Sequence, residues 1–539
     1  MELENISIPA TNRFASLYLE QEEPVNHFFH YDIKEKTVFK KRMEDLHNRN
    51  FARQELVKCI EQYMDRFPKS NEIQQSLNKL QQDDSLVVIG GQQAGLLTGP
   101  LYTIHKIISI IILAREQEEK LKCPVIPVFW IAGEDHDYLE VNHVYAESER
   151  SIKKISYAEG PIDKRMVSDL EFDKEHMQKW VNKVFEHFGE TLETKKIMKS
   201  IDEAINHSRT IVDFFTYLVV DMFKKYGLLV IDSADKQLRE LEKPFFRNMI
   251  ENYEKITEQV LKQQNIINGF DFPNTIDISE NALNLFYYDG HERQLLEFNK
   301  AKNGFVGKSG DCFFTKDDLL TLLEEKPEAF SNNVVTRPIM QESLFPTLAF
   351  IAGPGEIAYW GELKLAFESL NILMPPIIPR LNITFLERSI ESDIKHLNLS
   401  AEKIIRNGLE IERQQYWNSI KDQTTETIID ETSVFLEKQY QYLKDSADKS
   451  LLPIVEKNLQ FHLKQLEFLQ RKANLLTMQK NDNSLERLNR MERLLRPNGA
   501  PQERLWNIYY FMNKYGEEFL SQIMKLNYVF DGTHKLIRI

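Results

Sequence analysis

"LVVIGGQQAGLLTGPLYTIHKIISIIILA", residues 86–114, decides the fold. It opens on Leu86-Val87-Val88-Ile89, a short unbroken apolar run of the kind that forms a strand buried on both faces. Glycines 90, 91, 95 and 99 then break the run, and Pro100 fixes the backbone near the start of a helix. The isoleucine-rich residues 107–114 read as the body of that helix. A helix start at the end of a buried strand exposes free N–H groups and partial positive charge, which favour an anion. The turn lacks the Gly-Lys-Ser/Thr of a Walker A loop and the spacing of a Gly-x-Gly-x-x-Gly loop. Within "GGQQAGLLTGPLYTIHK", the polar candidates for contact with a substrate phosphate or carboxylate are Gln92, Gln93, Thr98, Tyr102, His105 and Lys106. The plainer alternative is a tight turn with a satisfied histidine.

The same pattern recurs downstream. Residues 125–131 precede Gly133, residues 228–231 precede Asp232-Ser233, residues 344–351 precede Gly353-Pro354-Gly355, and Ile377-Ile378 follows Pro375-Pro376. Short buried strands alternating with helices predict an α/β fold with a parallel, doubly wound Rossmann-like sheet, whose ligands sit beyond the carboxyl ends of the strands. Residues 28–80 read as helices broken at Pro68. The expected core comprises residues 1–150, 205–240 and 336–395, with insertions at 151–204 and 241–335, where the chain is charged and mixed. Residues 396–500 read as a helical coiled-coil domain, and 501–539 as a segment returning to the core. The coiled-coil signal is the series Leu452, Val455, Leu459, His462, Leu466, Leu469, Ala473, Leu476, whose steps alternate three and four. Flanking helices around 434–443 and 485–495 would pack antiparallel on that seam. It serves either an intramolecular bundle or a homodimer.

Bulk properties narrow the function. A chain of 539 residues exceeds one core, so several domains are expected. A net charge of −14 and a pI near 5.6 offer no basic face for nucleic acid. The longest apolar run, 107–114, is too short to span a bilayer, and the polar start "MELENISIPATNRF" is unlike a signal peptide. Cys59, Cys123 and Cys312 form no Cys-x-x-Cys pair, which suits free thiols in a reducing cytoplasm. A small-molecule substrate fits this balance.

Three further clusters carry candidate chemistry. In "VFWIAGEDHDYLEVNH", Glu134, Asp135, His136 and Asp137 follow a strand, where mutual repulsion tunes acids and bases; Asn142 lies close behind. A general base or a binder of a substrate amine is expected there, against the alternative of an acidic helix start. His136 and His143, seven apart, would share a helix face and with Glu140 could ligate zinc or iron, as in a metal-dependent amide hydrolase. With no thiolate near in sequence, no metal is expected. In "AFIAGPGEIAYWGELK", Gly-Pro-Gly lets backbone approach a ligand, Glu356 opens a helix, and Tyr359 and Trp360 offer flat surfaces or simply core. In "RPNGAPQERLWNIYY" and just before it, Arg490, Arg493, Arg504 and Trp506, with Asn382 and Thr384 after the last strand, are candidates for ATP or another nucleotide. "VGKSG", 306–310, shares letters with phosphate loops but not their context.

Together "GGQQAGLLTGPLYTIHK", "WIAGEDHDYLEVNH", "AGPGEIAYWGELK" and "RPNGAPQERLW" resemble the bacillithiol-biosynthesis cysteine-adding enzymes (BshC), and the likeness spans nearly the whole chain. The resemblance implies a Rossmann-like core with connective-peptide insertions and a helical coiled-coil dimer domain. It implies a ligase that joins L-cysteine to glucosaminyl-malate through an amide bond. Gly99-Pro100, Tyr102 and His105 also resemble the start of class I cysteinyl-tRNA synthetases, but Lys106-Ile107-Ile108 departs from that pattern and no Lys-Met-Ser-Lys-Ser motif follows. On the cysteine-ligase reading, the 90–106 turn would hold a phosphate or carboxylate, with His105 a catalytic residue there, and His136 or Asp137 would take the amine proton. Glu134 or Asp135 would bind the cysteine ammonium, Glu356 would position the sugar, and Tyr359 or Trp360 would stack on it. A nucleotide-binding scaffold without chemistry of its own is the other class open at this point.

Overall fold

The computed structural model describes residues 1–157, 164–308, 310 and 312–539. The apolar runs form one five-stranded sheet: β1 (Leu86–Gln92), β2 (Val125–Ile131), β3 (Leu229–Asp232), β4 (Thr347–Ala352) and β5 (Ile377–Pro379). Its order is β5-β4-β1-β2-β3, and every neighbouring pair is parallel. Residues of β2, β3 and β4 are buried throughout, which is why these strands read as continuous apolar runs rather than alternating ones. From β1 the chain winds outward to β3, then crosses to the other side of β1 to begin β4. The switch point therefore lies between β1 and β4, where a doubly wound sheet opens a crevice at its carboxyl edge.

Helix α1 (Leu101–Leu121) covers β1 and β2. Ile104, Ile107, Ile108, Ile110 and Ile111 are all buried, so the helix is apolar around most of its girth. The N-terminal stretch forms the helices Val38–His47, Arg53–Met64 and Asn71–Leu80; the last starts just after Pro68, with Ser70 accepting the Ile73 N–H at 3.1 Å. The segments read as insertions stay outside the parallel sheet. The first begins earlier than expected: the strand His143–Ser148, within the range assigned to the core, forms an antiparallel hairpin with Ser151–Ser156. The other contains an antiparallel sheet in the order Phe313–Phe314, Gly304–Gly307, Arg293–Asn299, Ala282–Tyr288, Phe330–Asn332. The Val306–Gly307 end of "VGKSG" is the close of one of those strands, and Ser309 lies outside the described residues.

The chain divides into two compact units, residues 1–385 with 502–539, and residues 386–501. In the first, Glu2–Ile6 pairs antiparallel with His534–Arg538. Gln502 there accepts the Phe385 N–H at 2.8 Å and donates to the Phe385 carbonyl at 3.0 Å, as a neighbouring strand would. In the second, Gln423–Ser446 and Leu452–Lys480 pack as a helical hairpin, with Lys444 3.1 Å from Glu456 and the rings of Tyr440 and His462 6.0 Å apart. The heptad seam is kept only in part. Val455 is buried and Leu459, Leu466 and Ala473 are partly covered, whereas Leu469 and Leu476 are 51% and 57% exposed. Helices that are not wound to a 3.5-residue period lose such a seam sideways within a few turns. The helix expected around 485–495, Asp482–Leu495, packs on Arg388–His396 through Arg487 and Arg490, which both donate to Asp393. Among the described residues no helix is long and apolar enough to cross a membrane, and all three cysteines are free thiols.

Candidate active site

A cleft of about 360 Å³ opens at the switch point. β1 and its turn supply Gly91, Gln92 and Gln93; α1 supplies Tyr102 and Lys106; Gly353 and α2 (Pro354–Gly361) supply the facing wall, including Gly355 and Glu356. Asp135, Glu140, Arg337, Arg380 and Arg504 close it.

Lys106 ties the two walls together. Its Nζ donates to the Gly91 carbonyl at 2.7 Å, to Gln92 Oε1 at 3.2 Å and to Glu356 Oε2 at 2.6 Å. It is 1% exposed, and burial lowers its pKa even against the pull of Glu356. The same Glu356 oxygen accepts the Gly353 N–H at 2.7 Å. The next N–H groups of α2, on Gly355 and Glu356, have no acceptor within the helix, and Gly355 borders the cleft. An anion seated here meets helix N–H groups beside Arg380 and Arg504.

The glycine-rich turn does a different job from the one its sequence suggests. Leu97, Thr98 and Gly99 have φ of 50°, 69° and 70°, three left-handed residues in a row. A Cβ on Gly95 would fall 2.7 Å from the Gly99 Cα, so the turn closes on itself only with glycine there. Asn507 clamps it, donating to the Leu97 carbonyl at 2.7 Å and the Gly99 carbonyl at 2.8 Å. The Leu101 N–H, first of α1, donates to the Trp506 carbonyl at 2.8 Å. The start of α1 is thus closed by the C-terminal segment, and the open helix start is that of α2. Thr98 and His105 are each 0% exposed and line no part of the cleft.

His105 acts at one remove. Its Nδ1 lies 3.3 Å from Glu503 Oε2, and Glu503 receives both guanidinium nitrogens of Arg380, at 2.7 and 2.5 Å. Burial pushes the Glu503 carboxyl up, but Arg380 and the hydrogen bond from His105 outweigh it and hold it well below the usual carboxylate range. Burial keeps His105 itself below the ordinary histidine value. Arg380, stacked 5.9 Å from the Tyr102 ring centroid, is thereby a fixed cation at the cleft.

A second hollow of about 320 Å³ adjoins the first and shares Ala132, Asp135 and Arg337 with it. Asp135, Asp137 and Asp277 make it acidic, with His136 and Arg293 alongside. Gln93 spans from the first hollow, donating to Asp135 at 2.7 Å and Glu140 at 3.4 Å. Burial raises Asp135, but Arg293 and the Gln93 hydrogen bond more than offset this, so it stays ionised. His136 is held low by burial and by Arg293, whose Nη1 is 3.4 Å from Nδ1. Donation at Nδ1 leaves the ring proton on Nε2, toward Asp137. Asp137 itself is 57% exposed.

Several expected contacts are corrected by burial. Glu134 borders the hollow but is paired through Oε2 with Arg239, which also bridges to Glu242 at 2.5 Å; it belongs to a buried ion triad and is not a free acid. Trp360 is 1% exposed and packs between Phe350 and Phe367 in the core, so it presents no stacking face. Tyr359 accepts from Arg337 at 2.6 Å, and burial pushes its phenol up to about 12, against Arg337. Asn142 is buried and donates to the Tyr157 carbonyl at 3.3 Å. His136 and His143 share no helix face: Asp137 leads into the single turn Tyr138–Val141, and His143 begins a strand. Among the described residues no group of three or more His, Cys, Asp or Glu is arranged to hold a metal.

Of the nucleotide candidates, only Arg504 reaches the cleft. Thr384 bonds His534 at 2.8 Å, Asn382 has a buried Oδ1, and Trp506 is buried against Tyr510. Arg490 and Arg493 belong to the second unit, in ion pairs with Asp393 and Glu486. Sequence reading missed Arg337, Arg380, Arg293 and Glu503. Arg380 follows β5 directly, so the strand-end rule points to it; the others carry no local signal.

Two family models tile the chain: the bacillithiol biosynthesis BshC N-terminal Rossmann-like domain over residues 1–381, and the BshC C-terminal coiled-coil domain over residues 383–539. Relatives named "Putative cysteine ligase BshC" include those of Geobacillus sp. (strain WCH70), 42% identical, Geobacillus thermodenitrificans, 39% identical, and Anoxybacillus flavithermus, 40% identical. Each alignment covers 100% of both chains. A solved structure described as a "putative arginyl t-RNA synthetase" from Campylobacter jejuni aligns over 88% of this chain and 98% of its own, at 10% identity and a TM-score of 0.25, which carries no argument. The full-length likeness and the two adjoining domain matches have one reading: the chain belongs to the BshC family of bacillithiol biosynthesis.

Proposed function

We propose that this protein is a carbon–nitrogen ligase of the cytoplasm that joins the carboxyl group of L-cysteine to the glucosamine amine of glucosaminyl-malate, the final step of bacillithiol synthesis. One observation carries the reading. Two hollows of opposite character meet at the switch point and share Asp135 and Arg337. The first suits an α-amino acid: its carboxyl group lies at the open start of α2 beside Arg380 and Arg504, and its ammonium faces Asp135 and Glu140. The second suits an amine approaching from the other side of Asp135.

Amide formation in water requires an activated carboxyl, and a nucleoside triphosphate such as ATP is the proposed source of its leaving group. The phosphate end fits the cations of the cleft, Arg504 among them. The chain's own part is to hold the carboxyl carbon in reach of the amine and to take a proton. As the amine nitrogen bonds to that carbon and the leaving group departs with its electron pair, Asp137 accepts the amine proton, its Oδ1 3.9 Å from His136 Nε2. Arg380 steadies the charge that develops on the carbonyl oxygen.

The helical hairpin leaves Phe435, Phe461 and Phe468 60%, 56% and 49% exposed, and a second copy of the chain is the proposed cover. The activity test combines purified protein, L-cysteine, glucosaminyl-malate and ATP, with mass spectrometry of thiol and nucleotide products. A cysteinyl amide is expected, and Asp137→Asn slows it about 100-fold or more. No amide from the wild-type protein, or full speed in the variant, sinks the assignment or the role respectively.

A further inference from the structure

Beyond the acidic hollow lies a third, of about 420 Å³, which the ligation chemistry leaves idle. It shares His136, Phe286, Arg293 and Leu295 with the acidic one, so the two adjoin. Among the described residues its walls carry three permanent cations, Arg293, Lys164 and Lys308, against one carboxylate, Glu292, which Lys164 engages at 3.2 Å. Arg293 is built in. It is 6% exposed, its Nε donates to Ser331 Oγ at 2.9 Å and its Nη2 to the Asn332 carbonyl at 2.5 Å, and its guanidinium sits 3.8 Å from the Phe286 ring centroid. Nη1 remains, 3.4 Å from His136 Nδ1 and 3.8 Å from Asp135 Oδ1. A fixed guanidinium with two ammonium groups on exposed stems suits a ligand bearing more than one carboxylate.

Along one path the three hollows therefore alternate: cationic at the switch point, acidic around Asp135, Asp137 and Asp277, and cationic again beyond Arg293. We infer that the outer hollow is the dicarboxylate subsite of the amine-bearing substrate, taking its malyl carboxylates while the amine lies in the acidic hollow and faces the cysteine carboxyl. This rests on the ligase reading above. Charge fixes the orientation: reversed, the malyl dianion would sit among the three aspartates and the amine beside Lys164 and Lys308, unfavourable at both ends. The subsite thus selects an amino sugar carrying a dicarboxylate over a bare one, and sets which amine is delivered.

The test is the double variant Lys164→Ala/Lys308→Ala, whose side chains are exposed and not part of the fold's core. The rate of amide formation, as kcat/KM, is measured for glucosaminyl-malate and for methyl glucosaminide, which lacks the malyl group. The wild-type preference for glucosaminyl-malate is expected to fall about tenfold or more in the variant, and to shrink in the wild type at about 0.5 M salt. An unchanged preference overturns the subsite. Equilibrium dialysis of the same two sugars, without cysteine or nucleotide, separates this from the ligase reading. If wild-type protein makes no amide yet retains glucosaminyl-malate over methyl glucosaminide, and the variant does not, the ligase reading falls and the subsite stands. Equal retention of both sugars by the wild type overturns the subsite whatever the activity.

Discussion

Replacing Glu503 by Gln tests whether the cleft depends on a cation held from behind. Glu503 accepts Arg380 through two charge-assisted bonds, at 2.7 and 2.5 Å, and both side chains are under a tenth exposed. Glutamine keeps one acceptor, turns an N–H₂ toward the guanidinium and removes the compensating charge. Breaking one partner of a buried pair costs about 3–5 kcal/mol where the stranded charge cannot move. Arg380 can move, because it borders the cleft and can swing toward water, which relieves part of that cost. Stability is then expected to fall by about 2–3 kcal/mol, a drop of roughly 2–4 °C in a thermal melt of a unit this large. The relief misplaces the cation, and a shift on the order of 1 Å lowers turnover by about 100-fold. The assays are a circular-dichroism melt and the mass-spectrometric rate of cysteinyl-amide formation. A Glu503→Gln protein melting within about one degree of wild type, with kcat/KM within about threefold, refutes the argument, since a buried bidentate pair cannot be both structural support and dispensable.

Three further outcomes follow from single features. Gly133→Ala would place a Cβ 2.3 Å from Asp232 Oδ1 and 2.1 Å from Ser168 Oγ, breaking the 2.6 Å Ser168–Asp232 bond; a loss of about 1–3 kcal/mol in denaturant titration is expected. Asp232 is pushed up to about 7 by burial, so its native-state contribution is full below the ordinary aspartate value near 3.8 and is lost as pH rises through about 7. Asp232→Asn should accordingly gain on wild type in melts run from pH 4 to pH 7, and a constant difference across that range would contradict the assignment. Phe461→Asp with Phe468→Asp is expected to shift the protein to monomers in light scattering while leaving core melting unchanged; dimers of undiminished affinity would mean the hairpin is not the contact.

The parallel sheet was legible because strands buried on both faces carry unbroken apolar runs, and each of the five was marked that way or by its prolines. The site was legible where strand ends deliver side chains: Gln92, Gln93, Asp135 and Glu356 all follow the sheet's carboxyl edge. His105 was misjudged by one step of a helix. Tyr102 and Lys106, four apart, share the face turned to the cleft, and His105 sits about 100° round from Lys106, toward the core. Arg337 and Arg293 arrive from a helix and an inserted sheet, so only tertiary packing brings them in. Trp360 and Glu134 show the converse: residue types suited to chemistry, spent on packing and on a buried ion triad. The seam of the coiled coil was legible as a period but not as a register, because an intramolecular hairpin leaves part of the stripe uncovered.

Gln502 holding Phe385 by both of its backbone groups has a consequence for how this architecture can change. The 116 or so residues between them leave and re-enter the core through a single doorway. Whatever hangs from that doorway can be lengthened, shortened or exchanged without rethreading the sheet, provided both jambs stay in place. A chain in which a short glycine–serine loop replaces residues 386–501 is expected to keep a cooperative melt, and loss of that cooperativity would show that the appendage props up the house it is attached to.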